Sequence, residues 1–121
     1  MKNQNSTFLV VTNLWVKKFR ERFLLHSRIL GLFVLKILAR KPMHGYQITE
    51  RINKILNIKV PRQLIYFILL RLEHAGLVSS KWIESEEKKP RKVYKITKKG
   101  KEFMENCIRE LEEIVKQLKI I

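Results

Sequence analysis

Two neighbouring polar residues, Arg62 and Gln63, carry side chains that can hydrogen-bond the edges of nucleic-acid bases. In a DNA major groove, an arginine matches the acceptor edge of guanine and a glutamine matches adenine. Both follow Pro61, which suits the first turn of a helix because its missing N–H costs nothing there. These residue types therefore predict a helix whose first turn contacts bases, and the alternative is an ordinary solvated helix surface.

The helix that would carry them extends over residues 60–76, and Gly76 suits its end. Ile65, Leu69 and Leu72 recur at four and three residues, so they share one face that we expect to be buried. The opposite face is expected to carry Gln63, Phe67, Leu70 and His74, with Arg62, Tyr66 and Arg71 at its margins. A helix with one buried face and a cationic first turn is typical of those that enter a major groove by their N-terminus.

A second helix is predicted just before this one, at residues 45–56, because apolar residues recur there at helical spacing. The chain is then expected to turn at residues 57–59. The buried stripe of the second helix is predicted to be Ile48, Ile52, Ile55 and Leu56. Helix, short turn and helix therefore follow one another along the chain.

A basic hairpin is predicted directly after these helices. Residues 77–83 and 91–97 are rich in residue types that favour strands, and the polar residues 84–90 between them are typical of a turn. A helix followed by such a hairpin has the outline of a winged helix-turn-helix. Tyr66 is predicted either to donate to a phosphate or to pack within the domain. The cations predicted to contact phosphates or enter the minor groove are Lys88, Lys89, Arg91 and Lys92.

Five sequence blocks occur in a fixed order along the chain. They are Pro42-Met43-His44-Gly45-Tyr46-Gln47-Ile48, then Leu64-Ile65-Tyr66 with Leu69, then Arg71-Leu72-Glu73, then Gly76-Leu77-Val78, and last Pro90-Arg91-Lys92-Val93-Tyr94-Lys95-Ile96-Thr97. In order and approximate spacing, these blocks resemble the PadR family of transcriptional regulators. The match covers about residues 19–118.

The resemblance implies a mainly α fold, which is a winged helix-turn-helix with a two-stranded wing, an N-terminal helix and a C-terminal dimerisation helix. It divides the chain into an N-terminal arm at residues 1–18, partly disordered or helical, a DNA-binding domain at residues 19–97 and a dimerisation helix at residues 98–121. Residues 1–7 of the arm are polar and expected to be disordered.

The same resemblance implies a function and partners. Members of the family regulate transcription, so we expect a dimeric repressor that binds a pseudo-palindromic site in double-stranded DNA. In the family, the Gly-Tyr position lies near the DNA backbone, which implies a DNA contact for Tyr46. Family members can also bind small aromatic effectors near the dimer interface, so an effector of that kind is a further implied partner.

The last helix supports dimerisation on the residues themselves. Thr97 is predicted as its N-cap. Apolar residues then recur at four, three, four and three residues, which is a heptad seam, and the seam continues past the point that a small domain could cover. The alternative is packing onto its own domain. The seam consists of Met104, Ile108, Leu111, Val115 and Leu118.

Two further stretches also indicate a dimer. Residues 28–41 are apolar on nearly every side, and a small monomer could hardly cover such a helix. Phe19 and Phe23 form a helical stripe with Trp15, which favours a helix that completes the dimer core. A role for residues 8–25 as an arm on the partner subunit or on a membrane surface is the alternative.

Charge and size indicate the class of partner. The 121 residues are enough for one domain, and the net charge is +15. Residues 77–101 carry nine Lys or Arg against three acids, whereas residues 102–121 carry three against five. Because the predicted wing is so basic and the last helix is not, a polyanion is favoured over a generally lysine-rich protein without such a partner.

Residue types that could catalyse reactions or bind metals are scattered. His26, His44 and His74 lack acids at metal-ligand spacing, and Cys107 is expected to be a buried structural thiol. We therefore expect neither enzyme activity nor a metal or cofactor. Trp82 is expected to lie in the core beneath the wing.

A single cysteine permits no internal disulfide, which is consistent with a reducing cytoplasm and with a location at the nucleoid. No stretch of the sequence reaches the about 20 apolar residues of a membrane span, so no stable membrane association is expected. A second class of function stays open, which is a winged-helix architectural or protein-interaction module without sequence-specific regulation. Its support is the outward face of the helix at residues 60–76, where Phe67 and Leu70 could contact thymine methyl groups or a protein.

Overall fold

A computed structural model describes residues 2–84 and 89–121, with side chains from residue 10 onward. Across these residues the chain is mainly helical, with a small antiparallel sheet. Its elements follow in the order α1 (Lys2–Leu24), α2 (Ser27–Arg40), β1 (Met43–His44), α3 (Gly45–Leu56), α4 (Arg62–His74), β2 (Val78–Ile83), β3 (Arg91–Ile96) and α5 (Lys98–Ile120). The predicted mainly α, winged helix-turn-helix fold is confirmed.

Helix α2 lies at the centre of the core because its side chains are apolar on almost every face. Leu30, Val34 and Leu35 are fully buried, and the helix packs against α1, α3, α4, α5 and β3. The elements of one subunit therefore cover most of α2, while Ile29, Leu32 and Phe33 stay half-buried, and the dimer that this helix suggests stays a prediction. It ends before Pro42, where Lys41 is extended as expected for a residue that precedes proline.

The turn between α3 and α4 is built from two asparagines. Asn57 ends α3 in the left-handed conformation, with φ of 52°, which asparagine tolerates better than most residues. The Asn53 Oδ1 accepts a hydrogen bond of 2.8 Å from the backbone N–H of buried Val60. The predicted stripe of α3 is buried except for Ile55, which is 51% exposed.

Helix α4 buries the face that the sequence predicts. Ile65 and Leu69 are fully buried and Leu72 is half-buried, with Ile68 completing the contact with α2 and α3. Gly76 follows the helix with φ of 76°, the left-handed geometry that glycine adopts without strain. The opposite side of α4, which we call its outward stripe, therefore faces away from the core and carries Gln63, Phe67, Leu70 and His74.

The sheet has the strand order β1-β3-β2, and every pairing is antiparallel. Strands β2 and β3 form the predicted two-stranded wing, with Ser80 opposite Tyr94. The short strand β1, which the sequence analysis does not predict, pairs Met43 with Tyr94 and His44 with Val93. This pairing joins the start of α3 directly to the wing.

The two terminal helices leave the body of the domain. Helix α1 packs through its C-terminal end, where Leu24 is buried and Arg20 Nη1 donates to the Leu56 carbonyl at 3.2 Å. Helix α1 begins at Lys2, and the disorder expected for the polar residues 1–7 stays a prediction.

Helix α5 begins where the sequence predicts. Thr97 is its N-cap, and the Thr97 Oγ1 accepts a hydrogen bond of 3.0 Å from the Gly100 N–H. A Cβ at Gly100 would overlap the Leu77 carbonyl, so this glycine lets α5 lie directly against the wing. Among the described residues, no helix is both long enough and apolar enough to cross a bilayer.

Candidate nucleic-acid interface

The start of α3, the start of α4 and the loop end of the wing enclose a cleft of about 490 Å³, which we call the aromatic-cationic cleft. Four residues predicted to contact DNA, Tyr46, Tyr66, Arg91 and Lys92, meet in this cleft. Because it lies at the N-terminal end of α3, the helix dipole adds to the attraction for an anion. The residues that line it are His44, Gly45, Tyr46, Tyr66, Trp82, Arg91, Lys92 and Tyr94.

The floor of the cleft is a contact between Tyr66 and Gly45. The Tyr66 ring lies so close to Gly45 that a Cβ there would overlap the ring carbons and the hydroxyl oxygen. Tyr66 nevertheless stays partly exposed. Its ring therefore packs within the domain while part of the side chain remains accessible, so both sequence-based interpretations of Tyr66 are compatible with the structure.

His44 joins helix α3 to the wing. His44 Nδ1 accepts from the Gln47 N–H at 3.4 Å, and Gln47 Oε1 accepts from the His44 N–H at 3.3 Å, so the two residues form a capping box. His44 Nε2 lies 2.9 Å from Arg91 Nη1. Burial, and then the charge of Arg91, lower the pKa of His44, while the charge of Glu50 raises it. The lowered pKa favours the neutral ring, which accepts at one nitrogen only, so the tautomer that caps α3 through Nδ1 carries its proton on Nε2 and does not accept from Arg91.

The capping role of His44 is not among the predictions from the sequence, although the sequence contains a signal for it. A side-chain acceptor followed three residues later by glutamine is the capping-box pattern. Here the acceptor is a histidine instead of the usual serine or threonine, which hides the pattern.

Tyr46 and Arg62 lie at the outer edge of the cleft. The Arg62 Cζ is 5.2 Å from the centroid of the Tyr46 ring, which is a cation–π distance. A hydrogen bond to the Glu50 carboxylate, followed by its charge, raises the pKa of Tyr46. The phenol therefore stays protonated and can donate a hydrogen bond, and the stacking holds Arg62 beside it at the start of α4.

The charge of Lys92 is shared with an acid inside the domain. Its Nζ lies 3.9 Å from Glu73 Oε2 and 5.6 Å from the centroid of the Tyr94 ring. The Ser80 hydroxyl donates to Glu73 at 2.8 and 2.9 Å, which fixes the carboxylate in place. Burial, and then the charge of Glu73, raise the pKa of Tyr94. Glu73 therefore orients Lys92 near the loop end of the wing, a role that nothing in the sequence indicates.

Trp82 lies at the wing side of the cleft, where it is 68% exposed, so the prediction that it lies in the core is wrong. Val78, Ser80 and Trp82 share one face of β2, but the core ends before the strand does. Val78 is buried, Ser80 is half-buried and Trp82 is beyond the cover of the helices. The alternation of residue types along β2 predicts which face of the strand is turned to the core. It does not predict how many residues of that face the core covers.

Gln63 and Lys89, two further predicted DNA contacts, do not line the cleft. Gln63 is exposed on the outward stripe of α4, and Lys89 is exposed where the chain enters β3. Lys88 falls outside the described residues. The contacts of these residues with DNA stay predictions.

The residues predicted for dimerisation fall into two groups. Those nearest the domain are covered, with Met104 buried and Ile108 and Leu111 half-buried. Val115 and Leu118 are exposed, Leu118 to 69%. The other exposed group is on α1, where the rings of Phe19 and Phe23 stack with centroids 6.0 Å apart beside a cleft of about 650 Å³.

The fold is therefore a winged helix with a cleft that is lined by aromatic and cationic side chains. The sequence model of the family described as the transcriptional regulator PadR-like family matches residues 34–106, which is more than half of the chain. The protein belongs to this family of PadR-like transcriptional regulators, as the sequence blocks predict.

Solved structures agree with this assignment. The chain is similar to a PadR-like transcription factor of Bacteroides fragilis, with a TM-score of 0.71 and 26% identity over 81% of this chain and 94% of that one. A PadR-like transcriptional regulator of Bacillus cereus gives a TM-score of 0.66 and 26% identity over 75% and 88% of the two chains. PadR of Bacillus subtilis, solved in complex with operator DNA, shares the fold with a TM-score of 0.62 and 24% identity over 67% and 47%.

Proposed function

We propose that this regulator binds double-stranded DNA at specific sites as a homodimer and represses transcription by occupying them. The observation that carries the proposal is the meeting of Tyr46, Tyr66, Arg91 and Lys92 in one cleft beside the exposed first turn of α4. The similar fold of Bacillus subtilis PadR, whose structure contains operator DNA, supports the same partner.

In this proposal the two parts of the surface have different tasks. The aromatic-cationic cleft holds a backbone phosphate, because it offers the Tyr66 hydroxyl and the cations Arg91 and Lys92 at a helix N-terminus. That contact fixes the register of the protein on the duplex. Arg62 and Gln63 on the first turn of α4 then reach base edges in the major groove, and Lys88 and Lys89 contact phosphates outside the cleft.

The proposed homodimer is supported by the apolar side chains that the single subunit leaves uncovered. Val115 and Leu118 continue the seam of α5 beyond the domain, and Phe19 and Phe23 are exposed on α1. Contiguous exposed apolar surface on a small domain is typical of an interface. A two-fold pair of subunits would place the two α4 helices about one turn of DNA apart, which suits a pseudo-palindromic site.

The proposal has three further parts. The protein acts by binding and catalyses no reaction, in line with a site made of aromatic and cationic side chains. It resides with chromosomal DNA in the cytoplasm, because that DNA is its partner. A small aromatic effector would bind beside α1, where Trp15, Phe19 and Phe23 line the cleft of about 650 Å³ near the proposed interface.

Selection of bound duplexes from random DNA tests the proposal. We expect the selected sites to be pseudo-palindromic and to bind more tightly than random DNA. If the dimer makes about eight phosphate contacts, the logarithm of affinity should fall with the logarithm of salt concentration at a slope of about −7.

Two variants separate base contacts from phosphate contacts in the same assay. Arg62→Ala should weaken binding by about 1–3 kcal/mol and relax the preference at one base pair per half-site. Lys92→Ala should weaken all sequences alike and reduce the salt slope by about 1 for each subunit. Equal binding of selected and random duplexes would instead favour an architectural role without sequence specificity.

A further inference from the structure

Two large apolar side chains stand on the outward stripe of α4, the face that is free of contacts with the core. Phe67 is 50% exposed and Leu70 is 53% exposed. Both lie in line with Gln63, because residues separated by four and three positions share one side of a helix. Covering these two side chains would remove apolar surface from water, which is favourable. A partner that offers apolar groups would therefore bind favourably at this position on the helix.

The surroundings of these side chains indicate what that contact is. Arg71 lies along one side, with its Cζ 5.6 Å from the centroid of the Phe67 ring, and Arg62 lies at the opposite margin beside Tyr46. An apolar strip framed by cations matches a DNA major groove, whose walls are phosphates and whose floor is formed by base edges. The strip is also continuous with Gln63 at the start of the same helix.

We propose that Phe67 and Leu70 contact the C5-methyl groups of thymines in the major groove, so that the helix selects thymine at these positions. This inference rests on the proposed function. Thymine fits the strip because, among the four bases, it presents an apolar group in the major groove. Gln63 matches adenine, so the three side chains together select an A·T-rich half-site.

The spacing of the two side chains sets the spacing of the thymines. Three residues of helix rise about 4.5 Å, which is close to the about 3.4 Å that separates neighbouring base pairs. With the helix lying along the groove, Phe67 and Leu70 therefore reach methyl groups on adjacent base pairs or on pairs one step further apart.

Replacing thymine by deoxyuridine tests the inference, because it removes the methyl group and leaves every hydrogen-bonding group of the base in place. The probes are duplexes that the protein has selected from random DNA, with single thymines replaced along each half-site. At two positions per half-site, we expect affinity to fall about fourfold for each methyl group removed. Thymines outside the selected half-sites serve as internal controls, and replacing them should leave the affinity unchanged.

Variants assign each methyl group to its side chain. Each alanine variant should lose the discrimination between thymine and deoxyuridine at one of the two positions. At that position, Phe67→Ala or Leu70→Ala should bind the two duplexes equally tightly. Phe67→Leu keeps an apolar contact and should retain part of the discrimination. Lys92→Ala is the matched control, since loss of a phosphate contact should weaken both duplexes by the same factor.

The outcomes separate the inference from the proposed function. If no sequence is selected, both fail. If selected duplexes bind specifically but tolerate deoxyuridine at every position, this inference alone is wrong. It is also wrong if both alanine variants keep the full discrimination, or if they bind DNA as tightly as the wild type, which would leave the strip to a protein partner.

Discussion

At the scale of single residues, the contact between Tyr66 and Gly45 determines the shape of the cleft. The ring occupies the space where any other residue at position 45 would place its Cβ. Gly45 is also the first residue of α3, so a shift of this ring would disturb the helix end that attracts the anion. A glycine is needed here for close packing, because its φ is not in the left-handed region.

Gly45→Ala should therefore destabilise the fold and weaken DNA binding together. Overpacking of this kind typically costs about 1–3 kcal/mol, measurable as a lower free energy of unfolding in urea. In a Tyr66→Ala background the ring is gone, so Gly45→Ala should cost little. A double-mutant cycle checks the coupling, and equal costs in both backgrounds would show that the ring does not fill this space.

The sequence predicts a DNA contact for several residues of the cleft, but it does not predict the roles of the others. Arg62 and Tyr66 are identified by their hydrogen-bonding groups and their places on the helix at residues 60–76, and Tyr46 is identified through the resemblance to the family. Glu73 and Trp82 depend on strand register and on where the core ends, and these are properties of the assembled sheet. Whether these side chains touch DNA stays a prediction.

At the scale of elements, the first turn of α3 depends on the protonation state of His44. Its neutral Nδ1 accepts the hydrogen bond that caps the helix, and a protonated ring could not accept it. Because the pKa of His44 is lowered from its ordinary value of 6.5, the folded protein binds fewer protons than the unfolded chain just below that pH. Stability from this group is thus complete above about pH 6.5 and is lost as the pH falls through the folded-state pKa.

We expect the free energy of unfolding to fall between pH 7.5 and pH 5.5 by up to about 1 kcal/mol from this cap, the typical contribution of an N-cap. His44→Asn supplies a capping oxygen that does not titrate in this range, so it should reduce the fall. His74→Asn, on the exposed face of α4, is the matched control and should keep the wild-type pH dependence. Identical pH profiles for wild type and His44→Asn would contradict this assignment.

The sequence predicts the helices better than the sheet. Residues 45–56 match α3 in full, and Thr97 is found as the N-cap of α5, because both depend on local spacing and capping. Strand β1 contains two residues, which are too few to show a strand pattern in the sequence. It is identified in the structure by its pairing with β3. The connection between the start of α3 and the wing is therefore a property of the tertiary structure.

At the scale of the whole molecule, exposed apolar surface is a better guide to assembly than apolar sequence. The near-continuous apolar composition of α2 suggests a dimer, but one subunit already buries much of this helix and leaves Ile29, Leu32 and Phe33 half-buried. The apolar residues of α5 follow one heptad spacing but differ in burial, since Met104 is buried and Leu118 is exposed. Sequence periodicity identifies the seam, and the fold shows which half of it remains to be covered.

The uncovered half of this seam predicts how the oligomeric state responds to a single charge. The chain has a mass of 14.6 kDa, so the wild type should sediment with about twice that mass. Leu118→Glu would place a carboxylate in the proposed interface and should weaken dimerisation roughly tenfold to hundredfold. Because Leu118 is exposed in the subunit, the circular dichroism spectrum of the variant should be unchanged.

Gln117→Glu makes the matched change on the neighbouring residue, which is exposed and points away from the seam. It should leave both the mass and the DNA affinity near their wild-type values. Leu118→Glu, in contrast, should lose affinity for a full pseudo-palindromic site and keep the weak affinity for a half-site, because a single subunit can still place α4 in one groove. A wild-type chain that sediments as a monomer, or a Leu118→Glu variant that remains fully dimeric, would place the contact between subunits elsewhere or remove it altogether.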